Sequence, residues 1–553
     1  MMRPAPQRPR VLSARLGARS GSGAWTVATL VIVGAAIQLL WMDPVVNPYD
    51  EAIVLVGADR VLHGDVPYRD FWTIYGPGAH YVLAGVFRVF GETAFVGRLL
   101  DIGVKSAIVA IVYLIAATFG RRAIALAAAL CVLTLLVYLK NYGVPLFGSV
   151  AAGLAALALL RVAVVRERVW LACAGGGCAG IAVLYRYDVG LYAVAACAVF
   201  AWGAFRLPKT RLATLPVRHV ALCFLGGLAA LLVPTVAYFL LTVPIADLRL
   251  NLLTIPLQVY PKVRALPFPP IGLHFAWLYG ALVYLPFLTG AVGLAFEVAR
   301  PRDGRLEPGP DASTAFFRAL LVLHVLYVAK GWVRVSDIHM GASLISSALL
   351  IAGVAARLRH PLAWRFVVAG CLVLWVAMNA RPLLSGARDI AQQQGESPRQ
   401  HWVSAAPSLC QDDRIPRLRC LRLDGDQAAV ARFALARGSG GATMYVGAGR
   451  HDKLLAGNMV MYFAAAARPA TRWHDLHPGV QTTLAVQQEI VRELEVATPR
   501  WVVIDDSWDE VVEPNASATS SGVFVLDEFL QSRYAAVFRS GKLSVLAPRP
   551  RAP

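Results

Sequence analysis

Long apolar runs separated by short, arginine-bearing loops decide what this chain can fold into. The runs lie near 24–42, 99–119, 123–139, 144–160, 169–185, 189–205, 219–242, 272–298, 314–330, 338–356 and 362–380. The shortest are about 17 residues, the lower limit for a helix that crosses a bilayer. The fold expected is therefore mainly α, a polytopic bundle of about eleven spans. Only 16% of residues are charged and mean hydropathy is +0.56, whereas a soluble domain carries about 25% charged residues.

A net charge of +19 would suit a nucleic-acid partner in a soluble chain. Here its distribution assigns it to membrane topology instead, and no nucleic acid is expected. With the N-terminus inside, the inner segments hold Arg3, Arg8, Arg10, Arg15 and Arg19, then Arg121 and Arg122, then Arg161, Arg166 and Arg168, and later Arg300, Arg302 and Arg305. The outer short loops are poorer in cations, which is the positive-inside bias. Residues 1–23 form a basic cytoplasmic segment. Ala24 to Met42 is too long for the apolar core of a signal peptide and ends in WMDP, so it reads as a retained first helix. Residues 24–380 form the transmembrane module, with 43–98 as its first exterior loop. Residues 381–553 are also exterior. The compartment expected is the inner membrane of a bacterium, with membrane lipid as one partner.

The exterior tail has short apolar runs broken by charges. Residues 442–447 (ATMYVG) and 499–506 (PRWVVIDD) read as strands, Leu484 to Leu494 as a helix, and 522–534 (GVFVLDEFLQSRY) as a strand leading into a helix. That alternation predicts a small α/β domain. Cys410 and Cys420 lie within it, and both a disulfide and two free thiols are compatible with the spacing. His474, Asp475 and His477 in TRWHDLHPG are metal-like in composition, but their spacing matches no metal motif and suits a loop held by side-chain bonds. No CxxC or HExxH pattern occurs.

The chemistry is concentrated in the loop from Asp43 to Pro77, DPVVNPYDEAIVLVGADRVLHGDVPYRDFWTIYGP. It carries the acidic pair Asp50-Glu51, further carboxylates at Asp65 and Asp70, and aromatic residues including Tyr68 and Tyr75. Ionised groups beside a bilayer are costly unless paired, hydrated or used. AIVLVGADRVLHG reads as an amphipathic helix on the membrane surface, ended by Gly64, and GPGAHYVLAGVFRVFG as a second one, with Tyr81, Val82, Val86, Val89 and Phe90 on its apolar face. An acid held at that boundary can accept a proton from an attacking hydroxyl, hold a divalent cation, or cap its helix.

These residues resemble the polytopic C-type (GT-C) glycosyltransferases that use polyprenyl-phosphate sugars, in particular the protein O-mannosyltransferase and aminoarabinose transferase group. The resemblance rests on Asp50-Glu51, Gly64-Asp65-Val66-Pro67-Tyr68, Asp70-Phe71, Tyr75-Gly76-Pro77 and GETAFVGRLLD (91–101), and covers roughly residues 24–130. The Lys-Pro-Pro or His-Pro-Pro segment usual in that group is Tyr75-Gly76-Pro77 here. The resemblance implies an inverting transfer with Asp50 as the catalytic base beside Glu51, and Asp65, Tyr68, Asp70 and Tyr75 near the substrate. It implies a polyprenyl-phosphate sugar donor, and a cell-envelope glycan, lipid or protein as acceptor. A leaving phosphate needs cations, for which the exterior segments offer Arg186, Lys262, Arg264 and Arg334. Tyr187, Asp188, Asp337 and His339 are the accompanying candidates for substrate contact. Each cation could equally be an interfacial snorkelling residue. No cofactor is certain, and a divalent cation such as Mg²⁺ or Mn²⁺ is compatible with the acids. The prolines of TIPLQVYPKVRALPFPP, within 243–271, argue against a regular long helix there and suit a mobile cover over the site. A flippase for lipid-linked sugars, a glycan polymerase or ligase, and a non-catalytic assembly protein are the competing readings.

Overall fold

The computed structural model describes residues 20–140, 142–206, 217–270, 277–299, 312–358 and 415–550, together with Arg365, Ala369 and Gly370. The apolar runs form helices α1 (Ser20–Leu40), α4 (Ala94–Ala117), α5 (Arg122–Leu139), α6 (Pro145–Arg166), α7 (Val169–Tyr185), α8 (Tyr187–Phe205), α9 (Val217–Thr242), α12 (Trp277–Val298), α13 (Ala312–Gly331) and α14 (Gly341–Arg357). Among the described residues, 7 helices are long and apolar enough to cross a membrane, namely α1, α4, α5, α6, α8, α9 and α13. The helices α7 and α14, and the Leu282–Val298 part of α12, are apolar but shorter. The expected run at 362–380 lies almost wholly outside the described residues.

Small residues let the bundle close. A Cβ on Gly176 of α7 would run into the Phe224 carbonyl of α9, and one on Gly227 of α9 into the Cys173 carbonyl. Backbones this close are how helices pack tightly in lipid, where apolar burial gives little drive. Gly227→Ala should therefore cost about 1–3 kcal/mol, the usual range for overpacking, and lower the melting temperature of the detergent-purified protein.

The first exterior loop carries α2 (Asp50–Leu62) and α3 (Pro77–Phe90). Helix α3 buries Ala79, Leu83, Ala84 and Phe87 on one side and exposes Tyr81, Val82, Val89 and Phe90 on the other. It thus presents an apolar stripe where lipid would meet it. Helix α2 departs from the expectation of a surface helix: every residue from Glu51 to Asp59 is buried. The reason is tertiary, because α3 covers it from one side and the exterior domain from another, in a shared apolar core that includes Phe87 and Phe463.

The segment after α9 forms no regular long α-helix, in keeping with its prolines, but runs through the short α10 (Ile245–Arg249), a π-helix (Leu250–Val259) and α11 (Tyr260–Val263). Pro256 sits inside the π-helix, where the Tyr260 amide donates to the Ile255 carbonyl five residues back. The wider turn accommodates a ring that an α-helix would reject.

The exterior domain is a five-stranded mixed sheet in the order β2-β1-β3-β5-β4. Its strands are β1 (Thr443–Ala448), β2 (Arg468–Pro469), β3 (Trp501–Asp505), β4 (Tyr534–Ser540) and β5 (Leu543–Pro548). β1 pairs in parallel with β2 and β3, and β5 is antiparallel to β3 and β4. Helices α15 (Gly425–Ala436), α16 (Val460–Ala464), α17 (Leu484–Ala497) and α18 (Val525–Arg533) accompany the sheet. The stretch 522–534 is corrected: it is helix α18 followed by strand β4. Cys420 is disulfide-bonded; Cys410, the other cysteine of that pair, lies outside the described residues.

Backbone hydrogen bonds clamp this domain to the first exterior loop. Val46 donates to Arg422 (2.9 Å), Arg422 to Pro44 (2.9 Å), Trp72 to Arg472 (2.9 Å) and Ala94 to Arg417 (2.8 Å). The exterior domain and the first loop therefore lie on the same face of the helical module.

Candidate functional site

A cavity of about 600 Å³ lies where the helical bundle, the first loop and the exterior domain meet. This is within the usual size of a ligand site, about 300–1,000 Å³. Its walls bring Asp50, Tyr75, Arg186, Tyr187, Asp188, Arg264, Arg334 and His339 together, eight of the residues expected from sequence. Residues from the loops that follow β1 and β3 close it from outside, among them Leu455, Ala456, Trp508 and Glu513. The carboxyl ends of adjacent parallel strands thus face the cavity, the usual place for a ligand in such sheets.

Asp50 opens α2 but does not cap it. The side-chain oxygen of Asn47 accepts from the Tyr49 and Asp50 amides at 2.9 and 2.8 Å. The Asp50 carboxylate accepts no hydrogen bond and forms no ion pair among the described residues, and it faces the cavity. Burial pushes its pKa up, while the Arg264 and Arg334 guanidinium groups pull in the opposite direction without cancelling the effect. An acid of this kind is a stronger base once ionised than an exposed aspartate.

The adjacent Glu51 is a correction to the expected catalytic pair. It lies on another face of the same helix, 2% exposed, and is paired by two hydrogen bonds with Arg98 of α4 at 2.7 and 2.8 Å. The Asn47 amide donates to it as well, and Arg98 also donates to the Asp43 and Val45 carbonyls. The ring of Tyr142 stacks against Arg98 and against Lys105, which pairs with Asp101 at 2.8 Å. Glu51 therefore anchors the loop to the bundle.

Two of the cavity's cations are already engaged. Arg186, at the junction of α7 and α8, pairs with Asp188 at 2.9 Å. Arg334 makes a two-pronged pair with Glu513 at 2.5 and 2.8 Å and donates to the Arg264 carbonyl at 2.9 Å. Burial opposes ionisation of Glu513, but the Arg334 and Asn515 hydrogen bonds prevail and hold its pKa below the usual range. The other two cations are not committed in this way. Arg264 is 7% exposed, and among the described residues its guanidinium donates only to Tyr49 Oη at 3.4 Å and His477 Nε2 at 3.5 Å, both at the long limit for a hydrogen bond. His477 is placed to accept there, because its Nδ1 lies 2.8 Å from the Pro478 carbonyl and must donate to it. Lys330, at the end of α13, lines the cavity, and its ammonium has no hydrogen bond or ion pair among the described residues.

Gly76 explains the local departure from the Lys-Pro-Pro or His-Pro-Pro pattern. A Cβ there would strike the Leu184 carbonyl, so Tyr75-Gly76-Pro77 presses its backbone onto the end of α7. That contact carries Tyr75 to the cavity beside Arg186.

The remaining expected residues lie elsewhere, each for a visible reason. Asp65 pairs with Arg60 at 2.7 Å. Asp70 accepts from the Val66 amide at 2.7 Å and pairs with Arg69. Tyr68 is buried against Phe239 with its backbone at φ 71, and its hydroxyl donates to the Tyr75 carbonyl at 2.8 Å. These three shape the turn and are not in the cavity wall. Asp337 accepts from Tyr138 at 2.8 Å, and Lys262 points to solvent. His339 lines the cavity and meets the Ser336 hydroxyl at 2.8 Å.

Asp59, His63 and Glu92 place one ligand atom each within 4.8 Å of one another, a candidate divalent-cation cluster. It is not part of the cavity wall. Arg417 pairs with Asp59 at 3.1 Å and Glu92 at 2.7 Å, so a protein cation already neutralises both carboxylates.

Sequence reasoning passed over Lys330, Tyr260, His477, Trp508 and Glu513 as members of the cavity. Lys330 had a usable signal, a lone cation closing an apolar run on the exterior side. Trp508 and Glu513 sit in the acid-rich stretch after β3, which had no counterpart in the first-loop pattern.

Neither a protein-family model nor a curated protein sequence matches the chain. Solved structures do. ArnT from Cupriavidus metallidurans bound to undecaprenyl phosphate superposes with a TM-score of 0.53 at 14% identity, covering 96% of this chain and 99% of that one. The apo oligosaccharyltransferase of Archaeoglobus fulgidus gives a TM-score of 0.50 at 13% identity, covering 87% of this chain and 70% of that one. The chain shares its fold with these two proteins, over nearly its whole length in the first comparison.

Proposed function

We propose that the cavity transfers a sugar from a polyprenyl-phosphate donor to a cell-envelope glycan, lipid or protein, on the exterior face of a bacterial inner membrane. The observation that carries this reading is a carboxylate, Asp50, that has no hydrogen bond or ion pair among the described residues and shares a cavity with Lys330 and Arg264, neither of which is held in an ion pair among those residues. The undecaprenyl phosphate bound to ArnT, a protein of the same fold, supports the donor class.

The chemistry follows from that pairing. The acceptor hydroxyl attacks the anomeric carbon and gives its proton to Asp50. The bond from that carbon to the phosphate oxygen breaks, and its electron pair leaves on the lipid phosphate. Attack opposite the leaving group inverts the anomeric centre. Arg264 and Lys330 receive the growing phosphate charge, while Arg186 and Arg334, fixed by Asp188 and Glu513, shape the field around it. Preorganised cations of this kind are worth more in a water-excluded site than in solvent. No step requires a metal ion from the Asp59 cluster.

A transporter needs cations for the lipid phosphate but gives no use to an unpaired acid beside them. The cation assignment is tested by binding of undecaprenyl phosphate to the purified protein. Lys330→Gln should weaken it by about 10–100-fold, the equivalent of one charged hydrogen bond. Equal affinity in wild type and Lys330→Gln would remove Lys330 from the phosphate site, and no binding to wild type would remove the donor class.

A further inference from the structure

A second acid stands behind the cavity wall. Asp475 comes from the exterior loop that follows β2 and is 0% exposed. Among the described residues, neither of its carboxylate oxygens receives a well-formed hydrogen bond. The Tyr49 hydroxyl lies beside it, with Arg264 and Asp50 as its charged neighbours. Its backbone is fixed, since Gln481 donates to the Asp475 carbonyl at 2.6 Å. His477 two residues on is also buried, between Trp72, Tyr260 and Arg264. A buried polar group without a partner calls for a functional or chemical explanation.

We propose that Asp475 is a positioning acid of this site, its carboxyl facing and accepting from the Tyr49 hydroxyl and, on ionising, drawing Arg264 away from the lipid phosphate. The inference rests on the lipid-phosphate reading above. An ionised carboxylate with no partner in a dry site is costly, so the neutral form is favoured. Burial is the main cause that pushes the Asp475 pKa up, Asp50 adds to it, and Arg264 and Tyr49 oppose it, leaving it at about 7. The other groups facing it are Tyr75 from the first loop and His477, which burial and Arg264 keep neutral.

The neutral form leaves the Arg264 charge directed to the substrate. Above neutrality a new anion competes for the same guanidinium. Ionisation of the phosphate monoester itself acts the other way, tightening binding as pH rises. Asp475→Asn separates the two effects, because asparagine keeps the shape of the neutral acid and cannot ionise.

The test uses full-length protein, with undecaprenyl phosphate as the probe, in mildly acidic and mildly alkaline buffer. Between the two buffers, Asp475→Asn should gain roughly five- to ten-fold in affinity over wild type, the scale of one nearby charge at a partly screened site. Infrared difference spectra should show a protonated carboxylic-acid band in acidic buffer that Asp475→Asn removes and Tyr49→Phe shifts. Parallel pH profiles for wild type and Asp475→Asn would overturn the proposal, as would equal weakening of Asp475→Asn in both buffers. A spectrum without the acid band would overturn it even if Asp475→Asn failed to fold. No binding by wild type in either buffer would instead overturn the lipid-phosphate reading and the role given to Arg264, while the band would still decide where the proton sits.

Discussion

Asp50→Asn should reduce sugar transfer by about 10²–10⁴-fold, the usual contribution of a general base, while leaving the fold intact. Asparagine occupies the same volume and cannot take the acceptor proton. The start of α2 does not depend on the lost charge, because Asn47 caps the first amides. Loss of activity should therefore appear without a change in melting temperature, and in the turnover number more than in donor affinity. The pH dependence has a definite sign. Asp50 must be ionised to act, and burial raises its pKa, so activity should fall on the acid side at a pH above the ordinary aspartate value of about 3.9. Transfer by folded Asp50→Asn at the wild-type rate would take Asp50 out of the reaction.

Arg98→Ala should have the opposite signature, a loss of folded protein. Arg98 is 1% exposed and Glu51 2%, so truncating the arginine leaves an ionised carboxylate buried and unpaired. Breaking such a pair costs about 3–5 kcal/mol, a large share of the roughly 5–15 kcal/mol that holds a typical protein folded. The yield of monodisperse protein should drop sharply, with a lower melting temperature in what remains. The double variant Arg98→Met with Glu51→Gln should recover part of that loss, since no buried charge is then left over. An Arg98→Ala protein that melts like wild type would show that Glu51 is not held in this way.

The contrast between Asp50 and Glu51 shows where sequence stops being informative. As neighbours they looked like one acidic pair. In a helix successive side chains point about 100° apart, and here one faces a cavity and the other a buried arginine 47 positions along the chain. Apolar runs such as 123–139 were legible because lipid imposes both length and composition. The exterior strand β1 was legible for a related reason, since a buried strand is apolar along its length. The hairpin of β4 and β5 was missed although both strands are rich in apolar residues and the Gly541-Lys542 turn between them is a recognisable hairpin signal. Pro256 excluded a regular long α-helix as its residue type implies, but nothing in the sequence pointed to the wider π-helix that accommodates it. Arg186 was found from its tight exterior turn, whereas His477 and Asp475 reach the site from more than 200 positions beyond Arg264, a proximity that no local pattern carries.

The most direct test of the account is the transfer reaction itself. Purified wild-type protein is given a panel of radiolabelled polyprenyl-phosphate sugars, with membranes from the source organism supplying the acceptor, and the product is followed together with its anomeric configuration. The account predicts a donor-dependent product with inverted configuration that is lost in folded Asp50→Asn. A folded protein that makes no product from any donor, yet moves the labelled lipid across a vesicle membrane, would contradict it and establish the flippase reading instead.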